Sequence, residues 1–264
     1  MAIVEHNGAR YFAFDSMQRD DLIHGVFTRH GGVSPQPWSS LNLGGTVGDE
    51  QDRVVENRRR MFACVGRPVE SLYDAWQVHS DRILVVDKPR PLDQEHIKAD
   101  ALITDKSHVT LLMRFADCVP VFFYDPVRRV AGIAHAGWMG TVKKIGLKTV
   151  QAMQSHFGCN PRDILAGIGP SIGPDEYEVG SDVINAVKRA FPGNDSKLLL
   201  NKRNGSVHLD LWKANQLTLA EAGVIHIEIA GISTAGNIQD WYSHRAENGK
   251  TGRLGALIAI QDRN

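Results

Sequence analysis

The spacing of apolar side chains changes several times along the chain, which predicts a mixture of helices and strands. A helical spacing of apolar residues is present in residues 49–65, 140–157, 181–190 and 211–222. In the first of these segments Asp49 can cap a helix, and Gly66 followed by Pro68 ends it. The sequence therefore predicts four helices of ordinary length.

Short apolar runs between these helices predict strands. The runs cover residues 25–28, 72–78, 83–86, 109–115, 119–124, 130–134, 164–168, 225–229 and 256–260. The strands come in clusters and do not alternate strictly with helices, which favours an α+β fold with a mixed sheet over a doubly wound sheet. Residues 29–45 are rich in Gly, Pro, Ser and Asn and predict a long ordered loop, a type of segment that is often functional. Because no repeat or linker interrupts the pattern, we expect a single domain over residues 1–264.

Composition narrows the class of protein. Lys plus Arg total 30 and Asp plus Glu total 30, so the net charge of zero gives no general attraction to nucleic acid or to an anionic membrane. The three cysteines are an odd number without a C-x-x-C pair, which predicts free thiols and a reducing compartment. The N-terminus has no signal-peptide pattern, and Arg114, Asp117 and Pro120 interrupt the most apolar region. We expect a cytoplasmic protein that binds neither membrane nor nucleic acid.

Three residues with metal-binding side chains stand at the ends of predicted strands, namely His79, Cys118 and His135. Two imidazoles and one thiolate suit zinc and leave a fourth position for water or substrate. Their separations match no local zinc-finger pattern, so a Cys118 nucleophile with His135 as its base, or ordinary structural side chains, are alternatives. Pro120 cannot donate to a central ladder and predicts a bulge or a sheet edge near Cys118. Asp117 is a candidate general acid or base, or a group that orients a ligand histidine.

A second candidate cluster lies near the C-terminus, where Arg245, Lys250 and Arg253 fall within a glycine-containing segment. Arginine forks and exposed backbone N–H groups suit phosphate or carboxylate. Arg29 and His30, which precede two glycines, are a possible second anion contact. The alternative for the C-terminal cluster is an ordinary solvated basic turn.

A series of ordered motifs resembles the laccase-domain family, which is described both as polyphenol oxidoreductases and as purine nucleoside phosphorylases with adenosine deaminase activity. The matching motifs occupy residues 27–34, 40–44, 77–79, 100–104, 116–120, 135–138, 167–173, 209–211, 243–245 and 251–253. The resemblance extends from about residue 25 to residue 260. It implies a single-domain α+β fold similar to the layered mixed-sheet fold of the cytotoxic necrotizing factor catalytic domain.

The resemblance also implies a chemistry. The zinc ligands of the family fall on His79, Cys118 and His135, and the implied activity is phosphorolysis of purine nucleosides (adenosine, inosine, guanosine and methylthioadenosine) with adenosine deamination as a second activity. The expected partners are therefore a purine nucleoside and phosphate. The cations available to hold phosphate or substrate are Arg29, His30, Arg245, Lys250 and Arg253, and the candidate catalytic residues are Asp117 and Arg29. Trp138 and Phe115 are candidate aromatic surfaces for the purine ring.

Three alternatives stay open at this stage. The first is copper-dependent oxidation of phenols with Cu²⁺ as cofactor, for which Met139 or Met113 can supply an axial ligand, although a trinuclear cluster needs more histidines. The second is a cysteine hydrolase that acts on an amide, which includes an editing role on peptidoglycan precursors, and the third is a non-catalytic nucleotide sensor. Met139, Ser233 and Ala246 stand where relatives often carry Arg, Cys and Arg, which reduces the positive charge expected at the mouth of the site.

Overall fold

The central strands are buried along their whole length, because the chain folds into layers that cover both faces of each sheet. A computed structural model describes residues 2–6 and 8–262. Its strands are β1 (Ala2–His6), β2 (Ala9–Ala13), β3 (Leu22–Phe27), β4 (Leu72–Asp74), β5 (Ile83–Val85), β6 (Ala101–Thr104), β7 (Thr110–Phe115), β8 (Val119–Asp125), β9 (Val130–Ala136), β10 (Leu165–Ile168), β11 (Leu199–Asn201), β12 (Val207–Leu209), β13 (His226–Ile229) and β14 (Leu254–Ile260). Its α-helices are α1 (Gln51–Cys64), α2 (Trp138–Val142), α3 (Ile145–Phe157), α4 (Ser181–Ala190), α5 (Asp195–Leu198) and α6 (Leu211–Glu221).

The strands form two six-stranded sheets and one small hairpin. The first sheet has the order β1-β2-β3-β14-β7-β4, the second has the order β13-β10-β8-β9-β6-β5, and β11 pairs with β12. Most neighbours are antiparallel, whereas β4 runs parallel to β7, β10 to β13 and β5 to β6. The predicted α+β class with mixed sheets is confirmed, and the implied similarity to the cytotoxic necrotizing factor fold stays a prediction.

Strand β8 shows how the layers pack, because successive side chains of a strand point to opposite faces. Phe122 and Tyr124 lie in the apolar layer between the two sheets, while Val121 and Phe123 pack in the layer that includes side chains of α3 and α6. The outer face of the first sheet is covered by α1, whose Phe62 packs in a third apolar cluster with β7 and β14. Each sheet therefore has both faces buried, and removal of this apolar surface from water is the main force that holds the layers together.

The helices differ from the prediction in two places. The predicted helix 140–157 is two helices, α2 and α3, separated by Lys144 in a left-handed conformation with φ of 62°. Both helices contact β9, so the apolar spacing continues across the break and conceals it. The predicted cap at Asp49 is wrong, because α1 begins at Gln51 after Glu50, and the Asp49 carboxylate accepts hydrogen bonds from Ser34 and Asn42 instead.

The observed strands differ from the predicted strands more than the helices do. The predicted strand 72–78 is only β4, because the chain leaves the sheet after Asp74. Strands β1, β2, β6, β11 and β12 and helix α5 were not predicted, since their segments are short or partly polar. The expectation that Pro120 marks a bulge or an edge is wrong. Strand β8 is central, and Pro120 is accommodated because it lies near the start of the strand, where pairing with β10 begins only at Val121.

Two further sequence-based expectations bear on the fold. The three cysteines are free thiols, as the odd count predicts. None of the helices in the described part of the chain has the length and apolar character needed to span a bilayer.

Candidate metal centre

Three separate segments bring His79, Cys118 and His135 together. His79 lies in the connection after β4, Cys118 immediately precedes β8, and His135 is in β9. Because Pro120 pairs with His135 in the antiparallel ladder, the thiol at the start of β8 is placed beside the imidazole at the end of β9. One ligand atom of each side chain lies within 4.8 Å of the others, and the Cys118 Sγ is 3.9 Å from the His79 Nε2.

Asp100, directly before β6, organises two of the three candidate ligands. Its carboxylate accepts hydrogen bonds from the backbone N–H groups of Val78, His79 and Ser80 at 3.2, 3.0 and 2.7 Å. The same carboxylate is 2.9 Å from Nδ1 of His135. A histidine whose Nδ1 donates to a carboxylate presents Nε2 as a lone-pair donor, which is the usual arrangement around a metal. Sequence reasoning gave Asp100 no role, because its partners meet it only through the sheet topology.

The backbone around the cluster is shaped for close approach. His79 has φ of 57° and Asp117 has φ of 80°, a left-handed conformation that is uncommon for residues with a side chain. A Cβ added at Gly137 would lie 2.8 Å from the Cys118 Sγ and 3.3 Å from the His79 ring. Only glycine therefore leaves space at this position for the thiol and the imidazole to converge.

The electrostatics of the cluster favour a thiolate. Burial by itself raises the pKa of the Cys118 thiol, but the imidazoles of His135 and His79 beside it lower that pKa to about 6. Burial lowers the pKa of His135, while the Cys118 thiolate and the Asp100 carboxylate raise it to about 9. Burial raises the pKa of Asp100, but its hydrogen bonds from His135 and Ser80 lower it to about 2. The thiolate is the form that binds metal. A metal ion would displace the proton that the raised pKa leaves on His135 at neutral pH, so the donor set fits a metal ion.

The cluster opens into a cleft of about 490 Å³ whose lining includes His79, Cys118 and His135. Four other basic side chains line the same cleft together with Arg253, namely Arg58, His96, Arg114 and His244. Trp76 is 47% exposed and is also part of the lining. The cleft therefore combines metal-binding, cationic and aromatic groups.

Arg29 and His30 do not line this cleft. The Arg29 Nε donates to the carbonyl of Ser39 at 2.8 Å, and its guanidinium pairs with Glu247 at 3.2 Å and lies over the Tyr242 ring. The His30 Nε2 is 2.8 Å from a carboxylate oxygen of Asp240. These contacts anchor the loop 29–45, and the anion-binding role of both residues stays a prediction.

The C-terminal cations divide between the cleft and the surface. Arg253 lines the cleft, whereas Arg245 and Lys250 are exposed and do not. The Arg245 guanidinium donates to the carbonyl of Glu178 at 2.9 Å and lies over the Tyr177 ring. Of the five cations predicted to hold phosphate, only Arg253 lies in the cleft, and the phosphate-binding role of all five stays a prediction.

Asp117 is buried next to Cys118 but does not line the cleft. One carboxylate oxygen accepts from the Thr234 hydroxyl and the other from the Arg245 backbone N–H, each at 2.7 Å. The structure thus ties Asp117 to the segment after β13 and to the C-terminal turn. Its role as an acid or base stays a prediction.

One missed cation had a sequence signal. Arg58 lies four residues after Val54 and four before Phe62, both of which are buried. Residues four apart share a helix face. Arg58 therefore falls on the inward side of α1, unlike Arg59 and Arg60 beside it.

The chain matches known proteins over most of its length. Residues 23–261 match a family model described as multi-copper polyphenol oxidoreductase laccase. A protein of Bacillus subtilis (strain 168) named purine nucleoside phosphorylase YlmD is 38% identical over 259 residues, which cover 95% of this chain and 93% of that protein. A protein of Deinococcus radiodurans named purine nucleoside phosphorylase is 37% identical over 240 residues, which cover 91% of this chain and 90% of that protein. The crystal structure of YlmD from Geobacillus stearothermophilus aligns with a TM-score of 0.91 at 35% identity and covers 98% of both chains.

Proposed function

The chain belongs to the multi-copper polyphenol oxidoreductase laccase family, and on that premise we propose that it is a zinc-dependent purine nucleoside phosphorylase with adenosine deaminase activity. The observation that carries the proposal is the convergence of His79, Cys118 and His135 in a cleft that is also lined by arginines. The relatives named purine nucleoside phosphorylase support the reaction class. The proposed substrates are adenosine, inosine, guanosine and methylthioadenosine, with inorganic phosphate as the second reactant.

Phosphorolysis requires two reactants to be held in line. A phosphate oxygen forms a bond to C1′ of the ribose while the bond from C1′ to the purine nitrogen breaks. The purine leaves with the electron pair of that bond and takes up a proton, which gives the free base and ribose 1-phosphate. In the second activity water replaces the amino group at C6 of adenosine, and the products are inosine and ammonia. Positioning of the reactants in one cleft is the main contribution of the protein to either reaction.

Three side chains that line the cleft suit the binding of one metal ion. Zinc held by His79, Cys118 and His135 would supply a Lewis acid with one open coordination position. Asp100 keeps His135 in the orientation that this requires. Within residues 2–6 and 8–262, these three side chains are the one group of three or more His, Cys, Asp and Glu close enough to share an ion. A trinuclear copper centre needs further clusters, so this observation favours zinc over the copper-dependent oxidation of phenols.

Other side chains are assigned from their position. Trp76 is the aromatic surface of the cleft, so we assign the purine ring to it; neither Trp138 nor Phe115 lines the cleft. We assign Asp117 and Arg29 a positioning role in catalysis. Neither side chain lines the cleft, but each accepts or donates a hydrogen bond that holds a segment around it. A carboxylate with both oxygens hydrogen-bonded is fixed in place.

The test is to incubate the metal-replete protein with adenosine, with and without phosphate, and to identify the products by mass. We expect adenine and ribose 1-phosphate only with phosphate, and inosine under both conditions. The Cys118→Ser variant is the control for contaminating enzymes and should give neither product. Oxidation of a phenol with copper and no reaction of nucleosides would overturn the proposal, as would cleavage of an amide substrate alone.

A further inference from the structure

Arg58 differs from Arg59 and Arg60 on α1 because it forms no hydrogen bond and no close ion pair with the described residues. Its side chain is partly buried and lines the cleft, and its Nε is fully buried without a hydrogen bond. Arg59 and Arg60 each pair with Glu56 at 2.7 Å on the exposed side of the helix. A buried N–H group without a hydrogen-bond acceptor is costly, so the presence of Arg58 at this position requires an explanation.

The surroundings of Arg58 are more positive than the nearby carboxylate can neutralise. Asp74 pairs with both Arg90 and Arg114 and is also 3.1 Å from His96. The guanidinium groups of Arg58, Arg90 and Arg114 therefore all act on one carboxylate. Burial, followed by the charge of Arg114, lowers the pKa of Arg58. An additional anion would offset this excess of positive charge.

A second guanidinium in the cleft is likewise without a carboxylate. Arg253 donates to the carbonyls of Thr251 and Gly252 at 3.2 and 2.9 Å. It forms no ion pair with a described acidic side chain, and Asp117 acts on it only at longer range. A Cβ added at Gly44 would lie 2.7 Å from the Arg253 Cγ, so the loop backbone packs directly on this side chain. Its position is therefore fixed before any ligand binds.

The wall that carries these arginines is held together by Asn57, which precedes Arg58. Asn57 is fully buried, accepts a hydrogen bond from the Val33 N–H, and donates to the Ser34 hydroxyl and to the carbonyl of Asn42. The side chain of Asn42 in turn accepts from the N–H of Arg253 at 2.9 Å. One network thus sets α1, the loop 29–45 and the C-terminal arginine relative to one another.

We propose that Arg58, together with Arg253, binds the oxyanion of inorganic phosphate in the cleft that contains the metal-binding side chains. This inference rests on the proposed phosphorolysis. It places the phosphate site at Arg58 and Arg253 in the cleft and no longer at the surface cations Arg245 and Lys250. Two guanidinium forks suit a tetrahedral dianion, because each presents paired N–H donors to two oxygens. The same chemistry would accept the phosphate of a nucleotide, so free phosphate and adenosine 5′-monophosphate are compared below.

The experiment measures phosphate binding to the metal-loaded protein by equilibrium dialysis, and the KM for phosphate in the adenosine reaction. In Arg58→Gln we expect both constants to rise about 10- to 100-fold, the range for loss of a charged hydrogen-bond pair. Arg59→Gln is the matched control, since it removes the same charge from the next residue of the helix, and should change neither constant. The KM for adenosine should change less than the KM for phosphate in Arg58→Gln, because the proposed contact of the purine ring is with Trp76 and not with Arg58.

A second measurement separates binding from folding. Without phosphate, Arg58→Gln should unfold at the same or a higher urea concentration than the wild type, because an unpaired buried charge has been removed. Phosphate should raise the wild-type unfolding midpoint more than that of Arg58→Gln. A lower midpoint for Arg58→Gln without phosphate would indicate a structural role and overturn the inference.

The outcomes distinguish this inference from the proposed function. Phosphorolysis with an unchanged KM for phosphate in Arg58→Gln overturns the inference and leaves the function in place. Arg58-dependent phosphate binding without any phosphorolysis overturns the function and supports the anion site. Binding of adenosine 5′-monophosphate but not of inorganic phosphate overturns the choice of free phosphate as the ligand.

Discussion

At the residue scale, the metal cluster depends on a side chain that is not itself a candidate ligand. Asp100 fixes the His135 ring and three backbone N–H groups of the His79 segment. In Asp100→Asn the charge is lost and one acceptor oxygen becomes a donor. We expect the zinc affinity to fall about 10- to 100-fold, the usual effect of removing a carboxylate behind a ligand histidine. The measurement is competition with a chromogenic chelator, and an unchanged affinity would show that the ligands orient themselves without Asp100.

Experiments on Cys118 distinguish the two roles that its thiol can have, a zinc ligand or a nucleophile. If it is a zinc ligand, Cys118→Ser replaces a soft thiolate by a hydroxyl and should lower the zinc affinity by orders of magnitude. The wild-type thiol should then be alkylated slowly with zinc and quickly after chelation, because the lowered pKa of Cys118 leaves a reactive thiolate. Cys159→Ser is the control, since burial raises the pKa of that thiol and it lies outside the cleft. Activity that survives chelation together with fast labelling of Cys118 would contradict the metal interpretation.

The residues of the site could be predicted from the sequence to the extent that their chemistry is specific to residue type. His79, Cys118 and His135 are recognisable because few side chains bind metal and because their motifs are ordered along the chain. Phosphate-binding arginines are harder to identify, since the chain has many cations and most are solvated. Arg29 and Arg253 illustrate this: both are near glycines in sequence, yet Arg29 is held by Glu247 and Tyr242 whereas Arg253 lines the cleft.

At the scale of elements, the apolar pattern located the long helices and the buried central strands. It failed where an element is short or where its side chains are partly polar, as in β11 and β12, and where two elements bury the same face, as in α2 and α3. Register and strand order are set by contacts distant in sequence. The pairing of β8 with β9, which places Cys118 beside His135, therefore could not be read from the local pattern.

Strand β3 carries an expected dependence of stability on pH. His24 is buried and its Nε2 accepts a hydrogen bond from the Phe14 N–H at 2.9 Å, which requires a neutral ring. Burial lowers the pKa of His24 from 6.5 to about 4. Between these values the unfolded chain binds a proton that the folded chain does not. The contribution is therefore fully present above pH 6.5 and decreases as the pH falls toward 4.

The measurement is the free energy of unfolding in urea at pH 7.5 and pH 5. Protonation of His24 in the unfolded chain should lower the free energy of unfolding of the wild type by about 2 kcal/mol between pH 7.5 and pH 5. His24→Gln keeps an acceptor near the position of Nε2 but does not titrate, so its free energy of unfolding should fall by about 2 kcal/mol less than that of the wild type. Carboxylates titrate equally in both proteins and cancel in the comparison. Equal losses in the two proteins would show that folding does not lower the pKa of His24.

At the scale of the whole molecule, the site lies where separate layers meet. The second sheet supplies Cys118 and His135, the connection from the first sheet supplies His79, and α1 with the loop 29–45 supplies the wall that carries Arg58. The layered order could be predicted only as a class, because the clustering of strands indicates α+β without specifying which strands form each sheet. The position of the cleft follows from that assignment and was accordingly not predictable from the sequence.

Because the three candidate ligands come from three segments, zinc should stabilise the fold as a whole. A ligand that binds only the folded state at about 100 times its dissociation constant adds about 2.7 kcal/mol to the free energy of unfolding. For a chain of 264 residues this corresponds to a rise in melting temperature of about 5–10 °C. We expect this rise when zinc is added to chelator-treated wild type, and its loss in His79→Ala. The exposed His156 is the matched control, because His156→Ala removes an imidazole far from the cluster in sequence and outside the cleft and should keep the full rise. An equal rise in His79→Ala would mean that zinc binds elsewhere, whereas a loss confined to the variants of His79, Cys118 and His135 would show that a single ion joins the two sheets.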